Sequence, residues 1–335
     1  MTMTDRTNSI GIIGAGAFGT ALGCVLADRN APVTLYGRDP GLMAEMAARR
    51  TNPRLPSVTL PDGLVPSADD STIHTHGTVL FAVPSAAQAE TATRLAPHLA
   101  SAAAIVMCAK GLDRETGHTI TDALADRLPG HVISVLSGPG FAADIASGLP
   151  TAMTLAASGQ TDADRIAATL SRKAFRLYAS DDMTGVQLGG ALKNVLAIAA
   201  GIVIGAGLGE SARAALIARG LAELTRFVVA NGGRPETAAG LSGLGDLVLT
   251  ATSAQSRNYR FGLAVGGGQS PSELSGEGQP LVEGANAAVT AAKAAAALHV
   301  PMPVTEAVAA VVTGKEDVAT VVDRLLSRPL RSETA

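Results

Sequence analysis

Lys193 and Asn194 stand together in a mostly apolar stretch that begins at Gly185, and Val195 to Gly209 carry no charge. Such a stretch predicts a buried helix. Desolvating an ammonium is expensive, so a lysine is rarely buried without a partner. Burial also lowers its pKa towards neutrality, where it can give and take a proton. Alone, the pattern fits equally a Lys193 that lies at a helix start and snorkels to water. Other chemistry-bearing residues weigh on the choice. Lys110 follows an apolar run as Ala109-Lys110-Gly111. Asp246 sits among apolar residues in Gly243–Thr250, with the Thr250 hydroxyl four positions on. Arg257, between Ser256 and Asn258, offers a guanidinium suited to two-pronged phosphate binding. Taken singly, Asp246 could cap a helix and Arg257 could mark a solvated helix start. Leu281-Val282-Glu283-Gly284 carries no meaning unaided.

A second kind of chemistry lies near the N-terminus. Ile10–Ile13 reads as a strand, Gly14-Ala15-Gly16-Ala17-Phe18-Gly19 follows, and a helical segment comes next. Glycines in that G-x-G-x-x-G spacing permit a tight turn and let the backbone approach a pyrophosphate at a helix N-terminus. The strand before and the helix after raise the motif above a chance glycine-rich turn. The next strand ends Leu35-Tyr36-Gly37-Arg38-Asp39, with no acidic residue where a ribose hydroxyl would be held. Arg38 could pair with a 2′-phosphate, which favours NADPH, yet it tolerates NADH and could equally be a solvated turn arginine.

These residues need elements to position them. Ser9–Ile13, Pro32–Tyr36, Val79–Val83, Ile105–Cys108 and His131–Leu136 read as strands. They alternate with helix-like Gly19–Arg29, Gly41–Arg50, Ala86–Leu99 and Glu115–Leu128, a pattern that predicts a parallel sheet with helices on both faces. Asn52–Pro66 carries four prolines and is expected to be a loop without regular structure. Thr151–Tyr178 reads as strand, helix, strand. Val83-Pro84-Ser85, Ala109-Lys110-Gly111 and Ser137-Gly138-Pro139-Gly140 end strands at the carboxyl edge, where open α/β sheets bind ligands. That placement aims Lys110 at a cofactor's reactive end and an anionic substrate. From Asp181 the chain turns helical, with Val186–Leu208, Ser211–Asn231, Ser256–Val265 and Gly284–Leu298 as candidate helices. The expectation is therefore an α/β fold: a Rossmann-type doubly wound parallel sheet over residues 1–184, then an all-helical domain over 185–335.

Bulk properties narrow the classes. A chain of 335 residues favours two domains. A net charge of −3 gives no general affinity for nucleic acid or anionic membrane, and 3% aromatics leave little to stack bases. Cys24 and Cys108 are far apart with apolar neighbours, as small buried hydrophobes in a reducing compartment would be. The polar first nine residues lack a secretory apolar core. The uncharged run after Asn194 falls short of the roughly 20 residues a membrane span needs. No histidines pair at metal-ligand spacing, so no metal is expected.

Taken in order, these motifs resemble the bacterial NAD(P)-dependent glycerol-3-phosphate dehydrogenases along nearly the whole chain. The resemblance rests on Ile13–Leu22, Val83-Pro84-Ser85, Lys110-Gly111-Leu112 with Glu115-Thr116-Gly117, and Ser137-Gly138-Pro139. It continues through Gly185–Asn194, Gly243–Thr250, Gln255–Asn258 and Val282-Glu283-Gly284. It implies that Lys193 is the proton donor and acceptor, with Asp246 orienting it and Lys110 adding electrostatic stabilisation. It implies a substrate pocket of Lys110, Gly138, Gly140, Asn194, Asp246, Thr250, Ser256, Arg257 and Asn258, with Arg257 clamping phosphate. Cofactor contacts would come from Gly14, Gly16, Ala17, Phe18, Gly19, Arg38, Lys110, Ala142, Arg257, Leu281 and Glu283. Three positions depart from the family pattern: Gly140 stands where Ser or Thr is usual, Ala109 where Thr or Ser is common, and Tyr259 where a basic residue is frequent. Gly140 removes a hydroxyl from the substrate pocket.

The resemblance implies reversible reduction of dihydroxyacetone phosphate to sn-glycerol 3-phosphate by hydride transfer from NAD(P)H, without a metal, for glycerophospholipid synthesis in the cytoplasm. The partner is then a small molecule, neither nucleic acid nor membrane, and the long apolar helices are compatible with a homodimer. A β-hydroxyacid-type dehydrogenase is the competing enzyme; its lysine and asparagine are spaced apart on the helix, whereas Lys193 and Asn194 are adjacent. A non-catalytic dinucleotide sensor is the competing non-enzyme, and it has no need for Lys110, Lys193 and Arg257 together.

Overall fold

Eight short strands form one sheet in the computed structural model, which describes residues 9–27, 32–113, 117, 119–274 and 282–329. They are β1 (Ile10–Ile13), β2 (Val33–Tyr36), β3 (Leu64–Ser67), β4 (Thr78–Phe81), β5 (Ala104–Met107), β6 (Val132–Ser137), β7 (Thr151–Ala157) and β8 (Phe175–Ser180). Their spatial order is β3-β2-β1-β4-β5-β6-β7-β8. Every pairing is parallel except β6 with β7. Strand order reverses direction at β1 and β4, and a crevice opens beyond the carboxyl ends at such a switch point.

The central strands β1, β4 and β5 are buried throughout because both faces of the sheet are covered there. Ile12, Leu35, Leu80 and Val106 pack on one face beneath α1 (Ala17–Leu26), α2 (Pro40–Arg49) and α6 (Gln160–Leu170). Ile13, Tyr36, Phe81 and Met107 pack on the other beneath α3 (Gln88–Leu95) and α4 (Ile120–Arg127). Each fully buried aliphatic side chain contributes about 1.5–3 kcal/mol, so the sheet is a rigid base for the loops at its edge. A short helix, α5 (Ala142–Ala146), connects β6 to β7.

One expectation fails here. Asn52–Pro66 is not wholly irregular, because Leu64–Ser67 pairs with β2 as an edge strand. Val33 and Gly37 donate to the carbonyls of Gly63 and Ser67, so the odd-numbered residues face β2. Pro66 therefore turns its missing donor to the open edge, where proline is tolerated. The helix expected over Glu115–Leu128 is described from Ile120 to Arg127, and part of its start lies outside the described residues.

From Met183 the fold is helical around α7 (Met183–Gly205), in which every residue from Gly185 to Val203 is buried. The Asp182 carboxylate caps it, accepting from the Gly185 N–H at 2.8 Å. At 23 residues α7 is long and apolar enough to cross a membrane, longer than the run after Asn194 suggested, and most of it is buried inside the fold. Around it lie α8 (Glu210–Ala230), α9 (Pro235–Ala238), a π-helical turn (Leu241–Gly245), α10 (Asp246–Ala251), α11 (Arg257–Gly266) and α12 (Pro271–Leu274). They are followed by α13 (Glu283–Ala297), α14 (Pro303–Val312) and α15 (Val318–Leu326).

Glycines bring α7 and α11 into backbone contact. A Cβ on Gly262 would lie 2.1 Å from the Ile198 carbonyl oxygen, and one on Gly266 would lie 2.3 Å from that of Ile202. One on Gly201 would lie 2.2 Å from the Tyr259 carbonyl oxygen. The helices thus run parallel in a fixed register, and the same offset sets Asn258 beside Asn194, 64 residues away.

Candidate active site

The three charged residues singled out first converge. Lys193, on the most buried helix, donates from Nζ to Asp246 Oδ1 at 2.9 Å and to Thr250 Oγ1 at 2.7 Å. Lys110, just past β5, reaches across to Asp246 Oδ2 at 2.5 Å and to the Gly138 carbonyl at 3.1 Å. Asp246 and Thr250 lie one turn apart on α10, and the Thr250 hydroxyl donates to Asp246 Oδ1 at 3.2 Å. Asp246 does not cap a helix with its side chain. Its carboxylate joins a lysine of the sheet edge to a lysine of the helical part.

Electrostatics follow from this geometry. Burial pulls Lys193 down from 10.5 to about 8; Asp246 resists the fall and Lys110 adds to it. Burial alone would push the Asp246 carboxyl up, but Lys110 and Lys193 outweigh it and hold the group below its ordinary value. Lys193 is 7% exposed, so the snorkelling alternative is not realised.

The polar residues at the helix ends form a second chain. Asn258 Nδ2 donates to Asn194 Oδ1 at 2.9 Å, and Asn258 Oδ1 accepts from the Gly284 N–H at 3.1 Å. Ser256 is buried and caps α11, its hydroxyl accepting from the Tyr259 N–H at 3.1 Å. Arg257 follows at the exposed start of that helix. Glu283 begins α13; burial pushes its carboxyl up, opposed by Arg257, Lys110 and Lys193. A cleft beside it is lined by Ser85, Gly111, Glu283, Asn286 and Thr290. Asn286 and Thr290 were not singled out from sequence; their spacing from Glu283 along one helix face was the available signal.

The glycine-rich turn fits a dinucleotide. Gly14 has φ +114°, and a Cβ there would lie 2.8 Å from the Ala82 carbonyl oxygen. A Cβ on Gly19 would lie 2.0 Å from the Gly14 carbonyl oxygen, so the turn and α1 close tightly. Gly16 faces open space, with nothing within 4 Å of its would-be Cβ. No side chain caps α1, which leaves its first turn available to an anion. Ala17 and Phe18 follow, partly exposed. Arg38 is exposed, while its neighbour Asp39 caps α2 by accepting from the Leu42 N–H at 3.1 Å. Tyr36 is turned away, its hydroxyl bonded to Thr72 and His76.

Gly138 presents its carbonyl to Lys110, and its φ of +148° and contact with Met153 leave no room for a side chain. A Cβ on Gly140 would lie 2.9 Å from the Ile145 side chain, so the family's hydroxyl residue would need that side chain to shift. Ala142 begins α5, packed towards α1. Leu281 lies outside the described residues. Cys24 and Cys108 are free thiols, and burial pushes Cys24 up to about 11.

Comparison with known proteins agrees with this architecture. The family profile for the NAD-dependent glycerol-3-phosphate dehydrogenase N-terminus matches residues 9–163, and that for the C-terminus matches residues 182–323. The glycerol-3-phosphate dehydrogenase [NAD(P)+] of Rhizobium johnstonii is 56% identical over 98% of this chain and 100% of its own length. That of Agrobacterium fabrum is 58% identical, with the same coverage of each chain. The crystal structure of glycerol-3-phosphate dehydrogenase from Coxiella burnetii superposes with a TM-score of 0.90 at 38% identity, covering 96% of this chain and 99% of that one. The chain belongs to the NAD-dependent glycerol-3-phosphate dehydrogenase family, whose members are oxidoreductases using NAD(P).

Proposed function

We propose that this dehydrogenase reduces dihydroxyacetone phosphate reversibly to sn-glycerol 3-phosphate, with Lys193 as the group that gives and takes the proton. The nicotinamide of the bound dinucleotide supplies the hydride for C2 in reduction and accepts it in oxidation. During reduction the oxygen on C2 gathers negative charge, and Lys193 protonates it. Lys110 adds fixed positive charge at the same place. The single observation carrying this reading is the Asp246 carboxylate bonded to both lysines. It orients Lys193 and keeps it charged enough to donate, against the pull of burial. Asn194, Thr250, Asn258 and the Gly138 backbone would fix the substrate's orientation. Arg257 would hold the phosphate remote from the reacting carbon, binding energy that positions the reacting atoms.

We further infer a preference for NADPH, supported by Arg38 at the end of β2 with Asp39 engaged elsewhere. A boundary between residues 184 and 185 would assign the dinucleotide to the first part and most of the substrate pocket to the second. A cytoplasmic location, a role in glycerophospholipid synthesis and a homodimeric state complete the proposal. The deciding assay follows absorbance loss of NADH and NADPH, separately, with dihydroxyacetone phosphate. Lys193→Ala should cut turnover by about 10²–10⁴-fold while dinucleotide affinity survives. Near-normal turnover in that variant would overturn the assignment.

A further inference from the structure

Residues 50–64 contain little regular structure, yet they are firmly pinned. The Arg50 guanidinium donates to the carbonyls of Leu60, Pro61 and Leu64, and the Leu60 N–H returns to the Arg50 carbonyl at 2.8 Å. Leu55, Val58 and Leu60 are buried in the core beneath α1 and α2. Within this segment Asn52 is fully buried, at 0% exposure. Its Oδ1 accepts from the Arg54 N–H at 2.9 Å, which fixes the rotamer. Its Nδ2 donates to Thr20 Oγ1 at 2.7 Å and to the Ala15 carbonyl at 3.2 Å. Both acceptors belong to the glycine-rich turn, one before Gly16 and one just after Gly19.

We propose that Asn52 is a positioning residue for the dinucleotide: it braces the glycine-rich turn and aims the Gly16 N–H at the pyrophosphate. The inference rests on the assignment of that turn as the cofactor cradle. A trans peptide is planar, with its C=O and N–H pointing in opposite directions. Holding the Ala15 carbonyl on Asn52 therefore points the Gly16 N–H away from Asn52, and Gly16 itself meets no protein atom within 4 Å of its would-be Cβ. Thr20 ties the same amide to the first turn of α1, whose Thr20 N–H bonds to the Gly16 carbonyl at 2.9 Å. The brace thus fixes both ends of the segment that would touch phosphate. Preorganised donors lower the ordering cost of binding, so their loss appears in affinity.

Asn52→Asp keeps the shape but replaces the donor by a carboxylate facing a carbonyl. The expected result is a rise in the NADPH Kd of about tenfold, read from nucleotide fluorescence, with the NADPH KM rising alongside. At saturating NADPH, kcat and the KM for dihydroxyacetone phosphate should stay within about twofold, because Lys193 and Asp246 are untouched. Thr20→Ser retains the acceptor and should bind normally, whereas Thr20→Val should weaken NADPH binding. If Asn52→Asp does not fold, the Thr20 pair decides the matter by the same Kd measurement. Unchanged NADPH affinity in folded Asn52→Asp, or in Thr20→Val when that variant decides, overturns the brace. Absence of NADH and NADPH binding by the unsubstituted chain would instead overturn the cradle, and the brace with it.

Discussion

Lys110 and Lys193 grip opposite oxygens of one carboxylate, Asp246 Oδ2 and Oδ1, at 2.5 and 2.9 Å. The lysines come from the edge of the sheet and from the central helix, so the aspartate couples the two parts of the fold at one point. Two ammonium groups against one carboxylate leave a net positive site, suited to a phosphorylated ketone whose oxygen becomes negative as it is reduced. The arrangement is also vulnerable, since removing one partner leaves buried charge uncompensated.

Reduction needs Lys193 protonated, and burial brings its pKa to about 8. Turnover of dihydroxyacetone phosphate should therefore be flat below that pH and fall as pH rises through it. Oxidation of sn-glycerol 3-phosphate needs the neutral amine, so its turnover should rise through the same range. Asp246→Asn removes the charge that opposes desolvation, so the limb should move to lower pH while turnover falls about 10²-fold or more. Profiles of kcat against pH in both directions check this; an unmoved limb in Asp246→Asn would assign the titration to another group.

Much of this was legible in sequence because the signals were local. The glycine spacing after β1 follows from turn geometry, and the continuous apolar strand runs that alternate with helical stretches in the N-terminal half follow from two-sided burial. The direct bond between Lys110 and Asp246 was not legible from the residues themselves, as it spans 136 residues and depends on how α10 meets the sheet edge. Asn52 was missed for a related reason. A proline-rich segment looks like a surface loop, and nothing local marks its asparagine as turned inward. The edge strand around Pro66 was hidden by the same prolines, tolerated because Pro66 turns its nitrogen away from β2.

Arg257 lies at the exposed start of α11, next to the Ser256 cap, and its charge acts on the Glu283 carboxyl that lines the cleft. Arg257→Ala should raise the KM for dihydroxyacetone phosphate roughly 10- to 100-fold, the loss expected for hydrogen bonds to a charged group. Unphosphorylated dihydroxyacetone, a poor substrate, should be used about equally by both proteins. An equal loss with both ketones in steady-state assays would count against the clamp.

Close packing of α7 on α11 ties stability to the pocket. Gly262→Ala would set a methyl 2.1 Å from the Ile198 carbonyl oxygen, so the helices must separate. Overpacking of this kind costs about 1–3 kcal/mol. It should also loosen the bond between Asn258 and Asn194, raising the KM for the ketone. Thermal melting and steady-state kinetics test both effects, and an unchanged melting temperature would show that the register tolerates the methyl.

Glu223, on α8, caps α14 from a distance in sequence. Its carboxylate accepts from the Val304 N–H at 2.8 Å and from the Thr305 N–H at 3.2 Å and hydroxyl at 3.3 Å. Burial raises its pKa from 4.5 to about 7, against those donors and Arg226. The native state therefore holds this proton over a range where the unfolded chain has released it. Its contribution to stability is present below pH 4.5 and is lost as pH rises through about 7, a swing on the order of 3 kcal/mol. Glu223→Gln cannot titrate and, with one acceptor oxygen, satisfies fewer of the α14 donors. It should be less stable than the unsubstituted protein at pH 5 and lose less on going to pH 8. Denaturant unfolding at the two pH values measures this; an identical pH dependence in both proteins would mean that Glu223 does not titrate in this range.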